Sequence, residues 1–228
     1  VVFASMADID AAELEHIIGF AGQRPHCLAL HPRDSNILLH GIGHVVVIAD
    51  QTDPHKQDLL RGHDNDVSSV TFSCTGRILA SGQVGSAHRD GEQIVVWEYE
   101  SRKPIYRLTG VEGTVQALKF SEDDRFLAAL GEGGSNGNDM VIWDMQNGSV
   151  AQYIKFQRVA TCLCWGATAV ADSSRRSKTP KYSLFSFHAV QVQAHYLEYD
   201  IRTMHYQLKT EQLRFPSAGL TRTYHHCY

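Results

Sequence analysis

The sequence predicts an all-β fold, a β-propeller of four-stranded blades, with about four blades present. The first observation behind this is an internal repeat. Runs 66–73, 77–82 and 93–97 reappear as 114–121, 125–131 and 139–144, with Phe72 answered by Phe120 and Trp97 by Trp143. The second is the period: Phe120 follows Phe72 by 48 positions and Trp143 follows Trp97 by 46. A period in the forties that holds several short strands marks propeller blades. The third is composition within the repeat, where β-favouring Val, Ile, Leu and Phe fill strand-length runs and Gly, Asp, Asn and Ser separate them.

The elements follow in order. Residues 1–13 are small and acidic and read as a flexible N-terminal arm, and 14–20 alternates like a strand. The first blade, about 21–61, takes its strands from 27–30, 36–39, 45–48 and 57–60. His31-Pro32-Arg33-Asp34 and Gly41-Ile42-Gly43 supply its turns. Ile48 is expected at the place Trp97 fills one repeat later. The second blade, 62–109, ends on 104–108, and the third, 110–157, on 151–156. The fourth, 158–217, opens on 161–165, where Trp165 follows Phe120 by 45 positions. A polar insertion interrupts it, and 181–188, 196–201 and 206–215 are expected as its remaining strands, with Tyr199-Asp200 in the Trp-Asp place. Residues 218–228 read as the start of a next blade. A propeller loses its sheet edges only by closing its ring, so these blades read as part of a larger protein. The initial Val in place of Met agrees with that expectation.

Composition excludes several partners. The 228 residues are 43% hydrophobic and 20% charged, as in a globular protein, and a net charge of −4 gives no ground for a nucleic-acid partner. The longest apolar run, near Val45-Val46-Val47-Ile48, is far short of the roughly 18 residues that span a bilayer, so no membrane partner is expected. Five cysteines, an odd number without framework spacing, suit buried thiols in a reducing compartment.

The strongest constellation is His63, Ser81, Asp90 and Trp97. It resembles the hydrogen-bonded chain of WD repeats, in which each member satisfies the next one's donor and the network fixes blade geometry. Asp90-Gly91 stands seven residues before Trp97 and Asn136-Gly137 seven before Trp143, so Trp143, Asp144 and Asn136 mark the same places in the next repeat. Blade three carries Gly110-Val111 where blade two has Gly62-His63. Read as chemistry, a His, a Ser and an Asp suggest a nucleophilic triad, but their places in a structural repeat favour the bracing role. The glycine-rich 131–137 lacks the Lys-Ser/Thr ending and the following helix of a phosphate cradle, and reads as a loop between strands. Cys162-x-Cys164 and His225-His226-Cys227 lack a second ligand pair, so no metal, cofactor or catalytic residue is assigned. Arg175, Arg176, Lys178 and Lys181 form a basic stretch read as a solvated loop. Loops 82–93, 131–138 and 168–181 are candidate partner-contact regions.

Further residues carry a family resemblance. Leu14, Ile17-Ile18-Gly19-Phe20, Pro25, His31-Pro32, Leu59, Gly62-His63-Asp64-Asn65-Asp66-Val67-Ser68 and Ala80-Ser81-Gly82-Gln83-Val84 resemble the cilia- and flagella-associated protein 52 family over about residues 14–165. The resemblance implies a WD-repeat β-propeller and the N-terminal portion of the first of two tandem propellers. It implies a place in the axoneme of motile cilia and flagella, inside the doublet microtubules, with tubulin and other axonemal doublet-microtubule proteins as partners. The Gly-His and Ser-Gly-Gln-Val stretches also resemble the echinoderm microtubule-associated protein-like family, whose propellers bind cytoplasmic microtubules. The function expected is a non-enzymatic scaffold without a small-molecule substrate. Two alternatives stand beside it: a peptide-recognition propeller in a soluble complex and, with no convergent acid/base pair to support it, a propeller hydrolase.

Overall fold

The computed structural model describes residues 16–19, 22–85, 92–132, 137–168, 180–189 and 191–214, and among these there is no helix. Blade one holds β1 (Leu28–Leu30), β2 (Ile37–Ile42), β3 (Val45–Asp50) and β4 (Gln57–Arg61). Blade two holds β5 (Val67–Phe72), β6 (Ile78–Gln83), β7 (Ile94–Glu98) and β8 (Pro104–Leu108). Blade three holds β9 (Thr114–Phe120), β10 (Phe126–Glu132), β11 (Asp139–Asp144) and β12 (Ser149–Lys155). Blade four holds β13 (Ala160–Trp165), β14 (Tyr182–His188), β15 (Gln191–Asp200) and β16 (His205–Leu213). Each blade is one antiparallel sheet with its strands in chain order. The described residues therefore form four blades of a β-propeller.

Packing explains why the middle strands do not alternate in sequence. A sheet covered on both faces needs apolar residues on both. Leu39, Val46 and Ile48 of blade one meet Val70, Leu79 and Trp97 of blade two. Ile94 and Val96 on the other face of blade two meet Leu118, Leu127 and Trp143. Phe126, Met140 and Ile142 then meet Leu163, Tyr182 and Leu184 of blade four. Accordingly β11 is buried throughout, whereas the outer strands β12 and β16 are largely exposed. Where the sheets come closest the sequence supplies glycine: a Cβ on Gly41 would stand 2.6 Å from Val67 Cγ1, and one on Gly82 2.4 Å from Val115 Cγ1.

Neighbouring blades are also latched at their first turns. Gly76 adopts φ +76 and presses on His31 of blade one. The matching position in blade three is Asp124, also left-handed at φ 59. Its carboxylate accepts the Cys74 N–H at 2.7 Å and the Thr75 N–H at 3.2 Å across the seam. Tyr182 O–H donates to Asp123 at 2.7 Å in the following seam.

Several expectations change. Cys74 is exposed and not a buried thiol, and β15 begins at Gln191, five residues before the expected strand. His16–Gly19, the described part of 14–20, forms no strand; the Gln57 side-chain amide holds Ile17 instead, accepting its N–H at 2.9 Å and donating to its carbonyl at 3.0 Å. Gly41 and Ile42 lie inside β2 and not in a turn, because the close approach to Val67 demands a glycine within the strand. Ile48 does not hold the Trp97 place: Leu30, Leu38 and Ala49 form the cross-strand row that Phe72, Leu79 and Trp97 form in blade two. In blade four the row is Trp165, Leu184 and His195, so His195 and not Tyr199 holds the tryptophan's place. The N-terminal arm and the start of the next blade at 218–228 lie outside the described residues.

Candidate functional site: the buried hydrogen-bond chain and its counterparts

Ser81 sits two residues beyond Leu79 on β6, on the face that meets blade one, and it is fully buried. The Trp97 indole N–H donates to Ser81 Oγ at 2.8 Å, and His63 Nε2 lies 2.6 Å from the same oxygen. His63 Nδ1 is 2.9 Å from Gln83 Oε1, which also accepts the Asp64 N–H at 3.1 Å. An oxygen that accepts a backbone N–H can only accept from the ring, so Nδ1 carries the imidazole proton. Nε2 is then the acceptor for the Ser81 hydroxyl. The donors run in one direction: Trp97 to Ser81, Ser81 to His63, His63 to Gln83.

The polar groups of this hydrogen-bonded row are partnered within the seam. Burial lowers the His63 pKa to about 4, against a partial opposing effect of the Gln83 bond, so the ring stays neutral at neutral pH. Its Nε2 faces a serine that no solvent reaches and that already accepts the Trp97 N–H. A nucleophile needs access to a substrate, and this pair lacks it. Gln83 is the member that the sequence reading missed; only its place two residues past Ser81, on the same face of the strand, could have pointed to it. Asp90, the fourth member expected, lies outside the described residues, as does Asn136.

The other blades fill the same places differently. Blade three replaces the polar pair with Ala129 and Val111, both buried, and keeps Trp143 at 1% exposure. Asp144 beside it is buried, takes an ion pair from Arg125 at 2.9 Å and accepts the Gln146 N–H at 3.0 Å. Blade four builds a second polar chain. Ser186 stands two residues past Leu184, as Ser81 stands past Leu79, and lies 2.8 Å from His195 Nε2 and 3.1 Å from His188 Nε2. His195 Nδ1 reaches Thr210 Oγ1 at 2.9 Å. Burial lowers the His195 pKa to about 4, and neighbouring His188 adds to that. The shared Leu-x-Ser spacing was the sequence signal for this site.

Lys181 of the basic stretch pairs with Glu198 at 2.7 Å, while Arg175, Arg176 and Lys178 lie outside the described residues. The contact loops are described only in part, at 82–85, 92–93, 131–132, 137–138, 168 and 180–181. Among the described residues no three His, Cys, Asp or Glu converge as a metal site. Two crevices flank the seam between β12 and β16. One of about 550 Å³ is lined by Tyr199, Met204 and Tyr206 beside Arg125 and Asp144. The other, of about 460 Å³, lies at the opposite end, by Arg158 and His188.

Comparison with known proteins agrees with this architecture. The WD domain, G-beta repeat, family matches residues 55–97, which run from β4 through Trp97. Cilia- and flagella-associated protein 52 of Chlamydomonas reinhardtii is 39% identical over 136 residues, 60% of this chain and 22% of that protein. The mouse protein of that name is 37% identical over 142 residues, covering 61% and 22%. The chain thus spans about a fifth of the length of the curated relatives it matches. A chain in the crystal structure of a mitotic checkpoint complex matches with a TM-score of 0.57 at 18% identity, covering 86% of this chain and 53% of that one. That likeness shows the fold. The sequence is similar to the cilia- and flagella-associated protein 52 proteins from alga to human, at 34% identity for the human one.

Proposed function

We propose that this chain is the N-terminal portion of a non-enzymatic scaffold of motile cilia and flagella. In this reading it is a microtubule inner protein that stabilises axonemal doublet microtubules through tubulin and protein–protein contacts. One observation carries the reading: similarity at 34–39% identity to proteins whose name places them in cilia and flagella, in an alga and in mammals alike. The seams support it physically. His63, Ser81 and Trp97 spend their polar groups on each other, and His195, Ser186 and Thr210 do likewise. Buried chains of this kind stiffen a blade and offer nothing to a substrate. The blades as units, about 21–61, 62–109, 110–157 and 158–217, then act as rigid mounts for the loops between strands.

The test is fractionation of axonemes from a ciliated alga whose own full-length protein carries an epitope tag. A doublet-lumen scaffold stays with the doublets through high-salt extraction of demembranated axonemes and is seen inside the tubule wall by tomographic labelling. Recovery in the soluble matrix, or label only outside the doublets, overturns the proposal.

A further inference from the structure

The link that enters blade four is one residue shorter than its counterparts. Five residues separate β4 from β5 and β8 from β9, and four separate β12 from β13. In blade two that link delivers His63 into the seam, and in blade three it delivers Val111; both are buried. In blade four the matching residues are Phe156, which packs on His188 and His195 at ring-centroid distances of 5.2 and 5.7 Å, and the exposed Gln157 and Arg158. A crevice of about 460 Å³ remains open there.

Its lining is mainly polar, with Ile154 and Phe156 as its apolar members. Gln191 and Gln193 project from β15 on the same face, Gln212 is the direct cross-strand partner of Gln193, and Gln157 faces them from the link. Arg158 and Lys155 supply positive charge, and among the described residues no Asp or Glu lines the crevice. Lys155 is partly neutralised by Glu112 at 3.2 Å, which leaves Arg158 as the main cation. A carboxamide offers a donor and an acceptor side by side, matched to a peptide's C=O and N–H. The molecule already uses this match twice. Gln57 holds the N–H and carbonyl of Ile17, and Asn138 holds those of Ala160 at 2.9 and 2.8 Å.

We propose that the crevice between blades three and four is a binding site for an extended acidic peptide segment, its backbone held by Gln157, Gln191, Gln193 and Gln212 and a carboxylate side chain held by Arg158. A guanidinium binds a carboxylate through two parallel hydrogen bonds, so Arg158 sets the charge preference. The glutamines set the preference for a peptide over a small anion. The inference stands apart from the ciliary reading, since it rests on the crevice alone.

Fluorescence anisotropy of a labelled oligoglutamate peptide titrated with the whole chain tests it. The parent binds oligoglutamate and not oligolysine, and inorganic phosphate competes weakly. Arg158→Glu weakens binding at least about tenfold, roughly 1.4 kcal/mol, and Gln193→Leu weakens it several-fold without changing its salt dependence. Arg33→Glu, an exposed charge reversal in the turn between β1 and β2, leaves it unchanged. Circular dichroism shows that each variant is folded. No binding by the parent, equal loss in Arg33→Glu and Arg158→Glu, or phosphate displacing the peptide at equimolar concentration each overturns the proposal.

Discussion

Blades two and four solve the same problem with different side chains. In blade two an indole, a hydroxyl and an imidazole run in one line from Trp97 to His63. In blade four His195 stands in the tryptophan's register place and Ser186 in that of Ser81, and the chain runs out to Thr210 on β16. Blade three shows that the place can do without a polar pair, since Ala129 and Val111 fill it. The backbone row is thus fixed by the fold, and the side chains in it are free to change so long as every buried polar group finds a partner. A large tryptophan fills the place in blade two; a smaller histidine, equally buried, fills it in blade four, where a crevice lined by His188 and Thr210 lies alongside.

The largest expected effect is shared by both blades. His63 and His195 each have a folded pKa of about 4 against about 6.5 unfolded. Below pH 6.5 the unfolded chain takes up a proton on each while the folded chain does not, so stability is present above pH 6.5 and is lost as pH falls toward 4. Each ring accounts for roughly 3 kcal/mol of that loss by pH 4. Urea unfolding at stepped pH should show it, and His63→Gln and His195→Gln should each remove a similar share of the slope, with His40 and His188, whose pKa values burial also lowers, contributing the rest. If one variant removed all of it, the two blades would not be equivalent.

Next in size is the difference between the two row residues. Trp97→Ala removes a side chain that is 2% exposed, together with the N–H that Ser81 Oγ accepts, at a cost of about 3–5 kcal/mol. His195→Ala removes less volume and takes a partner from Ser186, which keeps His188, and from Thr210, at about 1–3 kcal/mol. Unfolding midpoints of the two variants rank them; an equal loss would mean that packing against the neighbouring blade does not set the difference.

The same contrast explains what could be read in the sequence. Trp97 and Trp143 repeat in near-identical apolar settings, paired with Leu79 and Leu127, and their period exposes the blades at once. Blade one hides its row because Ala49 stands in it, a side chain too small to mark a repeat, while the larger Ile48 beside it packs toward blade two. Blade four hides its third strand more thoroughly. Gln191, Gln193 and His195 face the neighbouring blade, so the usual rule of polar residues toward water is inverted there and the strand reads as loop until Tyr196. The blade-two hydrogen-bond chain was legible in His63, Ser81 and Trp97 because motif and spacing coincide. Gln83, the acceptor on the far side of the His63 ring, was not, since a glutamine at a strand end carries no signal of its own.

Removing the shared hydroxyl comes third. Ser81→Ala leaves the Trp97 N–H and the His63 Nε2 without a partner in a dry seam, and Ser186→Ala leaves His195 Nε2 without its partner, separated by His188 and Thr210 from the crevice those two residues line. Each should cost about 1–3 kcal/mol. A smaller loss in Ser186→Ala would show that water from the crevice reaches the blade-four seam.

The smallest effect lies on the surface of the divergent blade. Lys181 Nζ reaches Glu198 Oε1 at 2.7 Å, but the two side chains are 52% and 34% exposed. Water and salt screen such a pair, and holding two long side chains in one geometry offsets most of the attraction. Lys181→Ala should therefore shift the urea midpoint by no more than about 0.5 kcal/mol, and by less still in high salt. A loss well above that would place part of blade four's stability in surface pairing across β14 and β15. A loss within it leaves the buried chain through Ser186, His195 and Thr210 as what replaces the tryptophan, which is the physical content of the comparison between the two blades.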